Sequence, residues 1–417
     1  MRILQLTKTT AAKLLANRRR RDLAAERAAA RILADVRRGG DSAVLRWTRR
    51  FDGIALARTT LWVARSELAQ ARRQVGGAFL REVEHAARNI RRVAERQMPR
   101  PWSLEVEPGV RVGQRVTPLE TIGCYIPGGR FSLVSTLLMT TIPAQVAGVR
   151  RIVVTCPRPN AALLAAADLL GQREIARAGG AQAIGALAFG TESFPRVDKI
   201  FGPGNRYVTA AKRLVSSECA IDLPAGPTEV LILAARGHPR LIAADLLAQA
   251  EHDTDAVAVF LTTSERLARA VREELGRQLR ALPASNPAWR SLERNAAILL
   301  APSLAAAVRF ANQFAPEHLG LPGGERSLLA KMRTAGSIFL GPWSAQPVGD
   351  YASGANHVLP TGGWARARGG LSAWDYVKCA SVQRVSRAGL RRLAPVVAAL
   401  AEAENLAAHV RAVEVRR

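Results

Sequence analysis

Six short apolar runs, rich in β-branched residues, recur between residues 151 and 341 and dictate the architecture of this chain. They are RIVVTC (151–156), VDKIFG (197–202), EVLILAA (229–235), AVAVFLTT (256–263), AILLA (297–301) and SIFLG (337–341). Between them, apolar residues at three- and four-residue spacing mark helices over 160–170, 204–216, 241–252 and 264–281. A strand that is apolar along its whole length has to be covered on both faces, and intervening helices supply that cover. The pattern predicts an α/β protein with parallel sheets, with enough strands for two such units. Residues 20–100 read as mostly helical, and 384–413 as an Ala/Leu/Arg-rich helical end. A chain of 417 residues exceeds one small core, so two or more domains are expected. No repeat, low-complexity tract or long linker marks a boundary between them.

Composition narrows the function classes. The formal charge of +26 invites a nucleic-acid reading, but only six of the sixty basic residues are lysine, and the arginines are scattered along the whole chain. One short cluster, Arg18 to Arg21, stands out. Zinc-finger, aromatic RNA-binding and basic-zipper patterns are absent, so specific nucleic-acid binding is not expected and weak sticking at low salt is. No apolar run is long enough to span a bilayer, and the N-terminus lacks an apolar signal core, so a soluble cytoplasmic protein is expected. The four cysteines, Cys124, Cys156, Cys219 and Cys379, are far apart and form no CxxC pair, which favours reduced thiols used as small hydrophobes.

Candidate chemistry begins with FAPEHLGL, residues 314–321, where Glu317 and His318 stand side by side. Pro316 followed by an acid would suit a helix start. Gly320, Pro322, Gly323 and Gly324 would stop such a helix at once, so the pair is predicted on a short turn between helical patterns at 303–313 and 326–334. Gln249 and His252, in QAEH, fall at i and i+3. If the helix continues that far, both side chains project from one face, which suits two metal ligands; such pairs also occur by chance on surface helices. GDYASGANHVLPTGG (349–363) carries Asp350 and His357; it reads as a turn, or as a ligand loop at the carboxyl end of a parallel sheet. Glu404 and His409 lie near the end of the last helical pattern, where a histidine can simply complement the helix dipole. His85 and His238 read as surface and loop residues. IPGGRFSLVST (126–136) could hold phosphate at a helix N-terminus, while FGPGNRY (201–207) has Tyr207 where a dinucleotide fingerprint needs its third glycine. No HExxH is present, which argues against a zinc hydrolase of that kind.

Taken in order, VRRGGDSAVLRWTRRFDG, GQRVTPLETIGCYIPGG, GGAQAIGALAFGTES, VDKIFGPGNRYVTAAKR, IDLPAGPTEVLILA, DLLAQAEHD, FAPEHL, AGSIFLG and GDYASGANHVLPTGG closely resemble the histidinol dehydrogenase family, from about residue 30 to 410. The resemblance implies two incomplete Rossmann-like parallel-sheet domains with helical N- and C-terminal extensions, in an intertwined homodimer. It implies the division 1–20 (N-terminal helical extension), 21–123 plus 228–372 (first domain, with most zinc and catalytic residues), 124–227 (second domain, NAD side) and 373–417 (C-terminal extension reaching the partner subunit).

It further implies a zinc- and NAD-dependent enzyme that oxidises L-histidinol to L-histidine through the aldehyde, the last step of histidine biosynthesis. By motif, Gln249, His252, Asp350 and His409 resemble zinc ligands, His409 being donated across subunits. Glu317 and His318 resemble the catalytic pair, His318 as base and Glu317 activating water. Thr228, His357 and Glu404 resemble substrate contacts, with Gln249, His252, His318, Asp350 and His409 around the same ligand. Tyr125, Gln182 and Asn205 resemble NAD contacts. Thr228 stands where the family commonly has serine and keeps the hydroxyl. Relatives acting on other small polar alcohols, such as sulfonated diols, form the alternative; His357 and Glu404 favour histidinol.

Overall fold

The computed structural model describes residues 1–18, 22–128, 133–223, 226–323 and 326–416. Residues 19–21 of the arginine cluster and 129–132 of the glycine loop lie outside the described residues. In chain order the strands are β1 (Arg2–Gln5), β2 (Trp102–Glu107), β3 (Val110–Pro118), β4 (Thr121–Tyr125), β5 (Arg151–Thr155), β6 (Ile175–Ala176), β7 (Lys199–Phe201), β8 (Ala220–Ile221), β9 (Glu229–Leu233), β10 (Val257–Thr262), β11 (Ala296–Leu300), β12 (His318–Leu321), β13 (Ser337–Leu340) and β14 (Val377–Val385).

Apart from the added edge strand β1, two parallel sheets share one topology. The first has the order β6-β5-β4-β7-β8, the second β1-β11-β10-β9-β12-β13. In each, the chain lays down a central strand, steps outward twice on one side, then returns to the other side of that strand and steps outward again. The physical reason for the doubled cover is visible in β9. All five of its residues are buried; Val230 and Ile232 enter one hydrophobic cluster, Leu231 and Leu233 another. Period-two alternation sends successive side chains to opposite faces, and both faces are apolar. Val153 and Val154 of β5 divide in the same way between the two clusters of the other sheet.

The division of the chain differs from the one expected at its start. β1 is the edge strand of the six-stranded sheet, paired with β11, so residues 1–20 hold more than a helical extension. The helix Leu23–Asp52 packs on Gly180–Phe189 and Arg206–Val215, and Gly77–Gln97 packs on Val134–Ala147. The helical region 22–97 therefore covers the five-stranded sheet rather than belonging with 228–372, and β4 is that sheet's central strand. Ala25, Ala29, Ile32, Leu33 and Val36 form the apolar stripe of the first long helix and join Val153, Ile184 and Leu187 in one cluster. A stripe of this kind reports that a helix is covered, not which sheet covers it. The helix kinks at Gly40 (φ 48°), a left-handed backbone where an added Cβ would meet the Glu192 carboxylate.

A third, antiparallel sheet, β14-β3-β2, had no counterpart among the predicted elements. β14 occupies the start of the region read as helical; beyond it that region breaks into two helices, Arg387–Ala403 and Ala407–Glu414. On this ribbon and the helix that follows, Trp102, Leu104, Val106, Val382, Val396 and Leu400 are each more than half exposed. Cys124, Cys156 and Cys219 are buried and Cys379 is exposed. No helix among the described residues is long and apolar enough to cross a membrane.

Candidate active site

Glu317 and His318 do not sit on a turn between helices. The helix Leu304–Phe314 ends at Ala315, in left-handed conformation (φ 48°), and the chain then enters β12 at His318, between β9 and β13. The helix expected over 326–334 shortens to Arg326–Leu329. Both acid and imidazole are buried at the amino end of a central strand.

The chain just before β9 lies against them. Thr228 Oγ1 donates to Glu317 Oε2 at 2.6 Å, and the Glu229 N–H donates to the same oxygen at 2.8 Å. Gln249 Nε2 donates to Thr228 Oγ1 at 2.7 Å, extending the chain of donors. Burial pushes the Glu317 carboxyl up to about 7, against the opposing pull of His318, Thr228 and the Glu229 N–H. Burial disfavours a charged His318, but Glu317 and Asp350 outweigh it and hold its pKa above the ordinary value. His318 Nδ1 lies 3.2 Å from the Glu229 carbonyl oxygen, which can only accept, so Nδ1 carries the proton. Nε2 is then the basic nitrogen of the neutral ring. It is buried without a hydrogen-bond partner, 3.7 Å from Asp350 Oδ1.

Asp350 sits on the short helix Gln346–Tyr351 and gathers the histidines. Its Oδ2 is 3.9 Å from His252 Nε2. His357 Nδ1 donates to the Asp350 carbonyl at 3.0 Å, and His357 Nε2 lies 3.3 Å from Thr136 Oγ1. Burial would raise the Asp350 pKa, but His318, His357 and His252 hold it below the ordinary value. Burial lowers the pKa of His357; desolvation by neighbouring groups also lowers that of His252, although its side chain is 45% exposed. The helix ends at Ala250, so His252 occupies the turn after it rather than the same helical face as Gln249. Gln249 Oε1 is buried without a partner. An amide oxygen, an imidazole and a carboxylate form an N/O donor set that suits zinc. Among the described residues no group of three or more His, Cys, Asp or Glu is placed to hold a metal.

Seven expected residues thus come together: Thr228, Gln249, His252, Glu317, His318, Asp350 and His357. Glu404 and His409 do not join them within the chain. Glu404 caps the helix Arg387–Ala403, and His409 lies in the first turn of Ala407–Glu414; both are exposed. His409 is therefore not placed to complement a helix C-terminus.

The expected dinucleotide residues gather on the other unit, at the carboxyl ends of β4 and β7, where the strand order reverses. Such reversals open the ligand crevice of α/β sheets. Tyr125 ends β4 and its Oη accepts the Gly180 N–H at 3.2 Å. Gln182 is buried with neither side-chain polar atom partnered. Asn205 caps the helix Arg206–Val215, accepting from Tyr207 and Val208 at 3.0 and 3.1 Å. Gly202 (φ 109°) lies where an added Cβ would strike the Tyr125 carbonyl. A buried ion pair holds it: Asp222 Oδ2 accepts the Gly202 N–H at 2.7 Å, and Lys212, paired with Asp222, donates to the Gly202 carbonyl at 2.8 Å.

The two regions meet through His357 and Thr136. The loop 349–363 therefore serves the amino face of the six-stranded sheet, not a carboxyl end. Thr136, Glu229 and Arg18 escaped the sequence reading. Thr136 looks like an ordinary helical residue, and Glu229 looks like the polar start of a buried strand.

A family model described as histidinol dehydrogenase matches residues 16–417. The chain is 47% identical over 393 residues to histidinol dehydrogenase of Methanosarcina barkeri, covering 92% of this chain and 90% of that protein. It is 47% identical over 398 residues to that of Geobacillus kaustophilus, covering 94% and 93%. The crystal structure of histidinol dehydrogenase from Elizabethkingia anophelis superposes with a TM-score of 0.93 at 38% identity, over 100% of this chain and 98% of that one.

Proposed function

The chain belongs to the histidinol dehydrogenase family, and from that premise we propose that it oxidises L-histidinol to L-histidine through the aldehyde, with Glu317 and His318 as its catalytic pair. The alternative of another small polar alcohol finds no support in these similarities. The observation that carries the residue roles is the His318 ring, whose Nδ1 is tied to the Glu229 carbonyl while Nε2 stays buried and unpartnered.

When bound, NAD+ supplies the hydride acceptor, once for the alcohol and once for the hydrated aldehyde. In the first oxidation His318 Nε2 takes the hydroxyl proton as the carbon loses hydride. Between the two, Glu317 takes a proton from water as the water oxygen bonds to the aldehyde carbon, and His318 Nε2 returns its proton to the carbonyl oxygen, which completes the hydrate and restores the neutral ring. A carboxyl titrating near 7 is matched to that task, and the donors from Thr228 and the Glu229 N–H orient its other lone pairs. In the second oxidation His318 Nε2 takes a hydroxyl proton of the hydrate. The sum is one alcohol, one water and two NAD+ giving one carboxylate, two NADH and three protons.

Gln249, His252 and Asp350 would hold zinc, with His409 of the partner subunit as fourth ligand. The orphaned Gln249 oxygen and the N/O donor set support this. Bound zinc would anchor the substrate's imidazole and amino nitrogens. Thr228, His357 and Glu404 of the partner subunit would contact the substrate; Tyr125, Gln182 and Asn205 would contact NAD. The exposed apolar residues of the antiparallel ribbon and C-terminal helix favour a homodimer that covers them. We take the compartment to be the cytoplasm, in keeping with cysteines used as buried small hydrophobes at Cys124 and Cys219.

The test is NADH formed per L-histidinol consumed by zinc-loaded protein, with histidine assayed as product. Two NADH and histidine are expected. One NADH would end the role assigned to Glu317, and none would end the substrate assignment.

A further inference from the structure

Arg18, at the end of the helix Lys8–Asn17, reaches the active site from behind. Its side chain is 6% exposed, against 2% for Glu229. Nε donates to Glu229 Oε2 at 2.6 Å, Nη2 donates to Glu229 Oε1, and Nη1 donates to the Phe314 carbonyl. The guanidinium also stacks on the Phe314 ring, 3.5 Å from its centroid. A third segment joins through Gly362, whose N–H donates to Glu229 Oε1 at 3.1 Å.

Each of these partners leads to the catalytic pair. The Glu229 N–H holds the Glu317 carboxylate and the Glu229 carbonyl holds His318 Nδ1. Phe314 is the last residue of the helix before Ala315 turns the chain toward Glu317. Gly362 closes the loop that carries His357. One planar cation therefore ties together the peptide that orients both catalytic side chains, the turn that delivers them and the loop beside them. Helix-end carbonyls have no intrahelical donor, and the guanidinium supplies one to Phe314. A bidentate carboxylate contact combined with a third donor direction and a stacked face is within reach of arginine and not of lysine.

We propose that Arg18 is a positioning residue for the Glu317–His318 pair, acting through Glu229 and the Phe314 carbonyl. The proposal rests on the reading of that pair as catalytic. Arg18 touches no reacting atom; its role is to keep His318 Nδ1 as the donor, Nε2 as the base, and the Glu317 carboxylate against Thr228.

The test compares Arg18→Ala and Arg18→Lys with the unaltered enzyme, each zinc-loaded and checked for fold by circular dichroism and for metal content. Misplacement by about 1 Å costs on the order of a hundredfold in rate, so kcat is expected to fall about a hundredfold in Arg18→Ala with the KM for NAD and the zinc content unchanged. Guanidinium chloride at non-denaturing concentration is expected to restore part of that kcat, and methylammonium is not. Equal rescue by both ions, or a folded Arg18→Ala with unaltered kcat, would overturn the proposal. Should Arg18→Ala fail to fold, Arg18→Lys decides: unaltered kcat overturns it and a loss of tenfold or more supports it. Glu317→Gln measured alongside separates the two claims. Full conversion by Glu317→Gln would remove the catalytic pair itself, whatever Arg18 does.

Discussion

The two parallel sheets have the same strand path and opposite uses. In the five-stranded sheet the proposed NAD residues stand at the carboxyl ends of β4 and β7, where the order reverses and such folds open a crevice. In the six-stranded sheet the corresponding reversal lies between β9 and β12, yet Glu317, His318, Thr228 and Glu229 gather at the amino ends of those strands. The helix Pro239–Ala250 runs back along the sheet, so its last turn delivers Gln249 and, just beyond, His252 to that same amino face. The carboxyl face of one unit thus meets the amino face of the other, with His357 against Thr136 at the seam. A shared topology fixes where strands lie. It does not fix which edge carries chemistry, because either edge offers loops that face a neighbour.

Each region is also braced by a buried ion pair of different reach. Lys212 and Asp222 grip one peptide, Gly202, inside one unit. Arg18 and Glu229 join three distant segments. The difference predicts local damage from breaking the first and catalytic damage from breaking the second.

If the division of labour is right, Glu317→Gln lowers conversion of histidinol to histidine by about a thousandfold and leaves the KM for NAD unchanged in steady-state assays. An equal effect on NAD binding would break the comparison. The second measurement mixes chains. His409→Ala and Glu317→Ala homodimers are each expected to be inactive, and exchanged heterodimers to recover about a quarter of full activity, since half the dimers carry one intact site. No recovery in exchanged dimers would mean that His409 serves its own subunit.

Acidity gives the third. Glu317 works as a base only when deprotonated, and its carboxyl titrates at about 7. The aldehyde-hydration step should therefore fall about tenfold from pH 8 to about pH 6. Burial pushes the Tyr125 phenol up, away from this range, so NAD binding should stay flat across it. A parallel fall in NAD binding would assign the acidic limb to the wrong unit. Finally, Lys212→Met leaves Asp222 buried and unpaired. It should cost about 3–5 kcal/mol in denaturant unfolding and raise the KM for NAD several-fold, with kcat nearly unchanged.

Much of the fold was legible because buried parallel strands write themselves as apolar runs. β5, β7, β9, β10, β11 and β13 fall where those runs predicted. β12 was not legible: four residues, HLGL, followed by Pro and Gly, carry too little pattern to outweigh their turn chemistry. β14 and the ribbon were missed because their exposed apolar residues do not alternate against a core of the same chain. The site divided in the same way. Residues in dense polar motifs, such as His318, Asp350 and His357, stood out as chemistry, whereas Glu229 acts through its backbone and Arg18 sits in an arginine cluster that read as charge rather than as part of a site.

Sequence alone determined the α/β class, the family and the candidate residues with chemistry, since apolar periodicity and ordered motifs are local properties of the chain. Only the tertiary structure decided that helices 22–97 cover the five-stranded sheet, that the proposed catalytic pair lies at the amino ends of β9 and β12, and that Arg18 reaches Glu229 across 211 positions of sequence. Those outcomes depend on which surfaces exclude water together, and a one-dimensional pattern records that a residue is buried without recording against what.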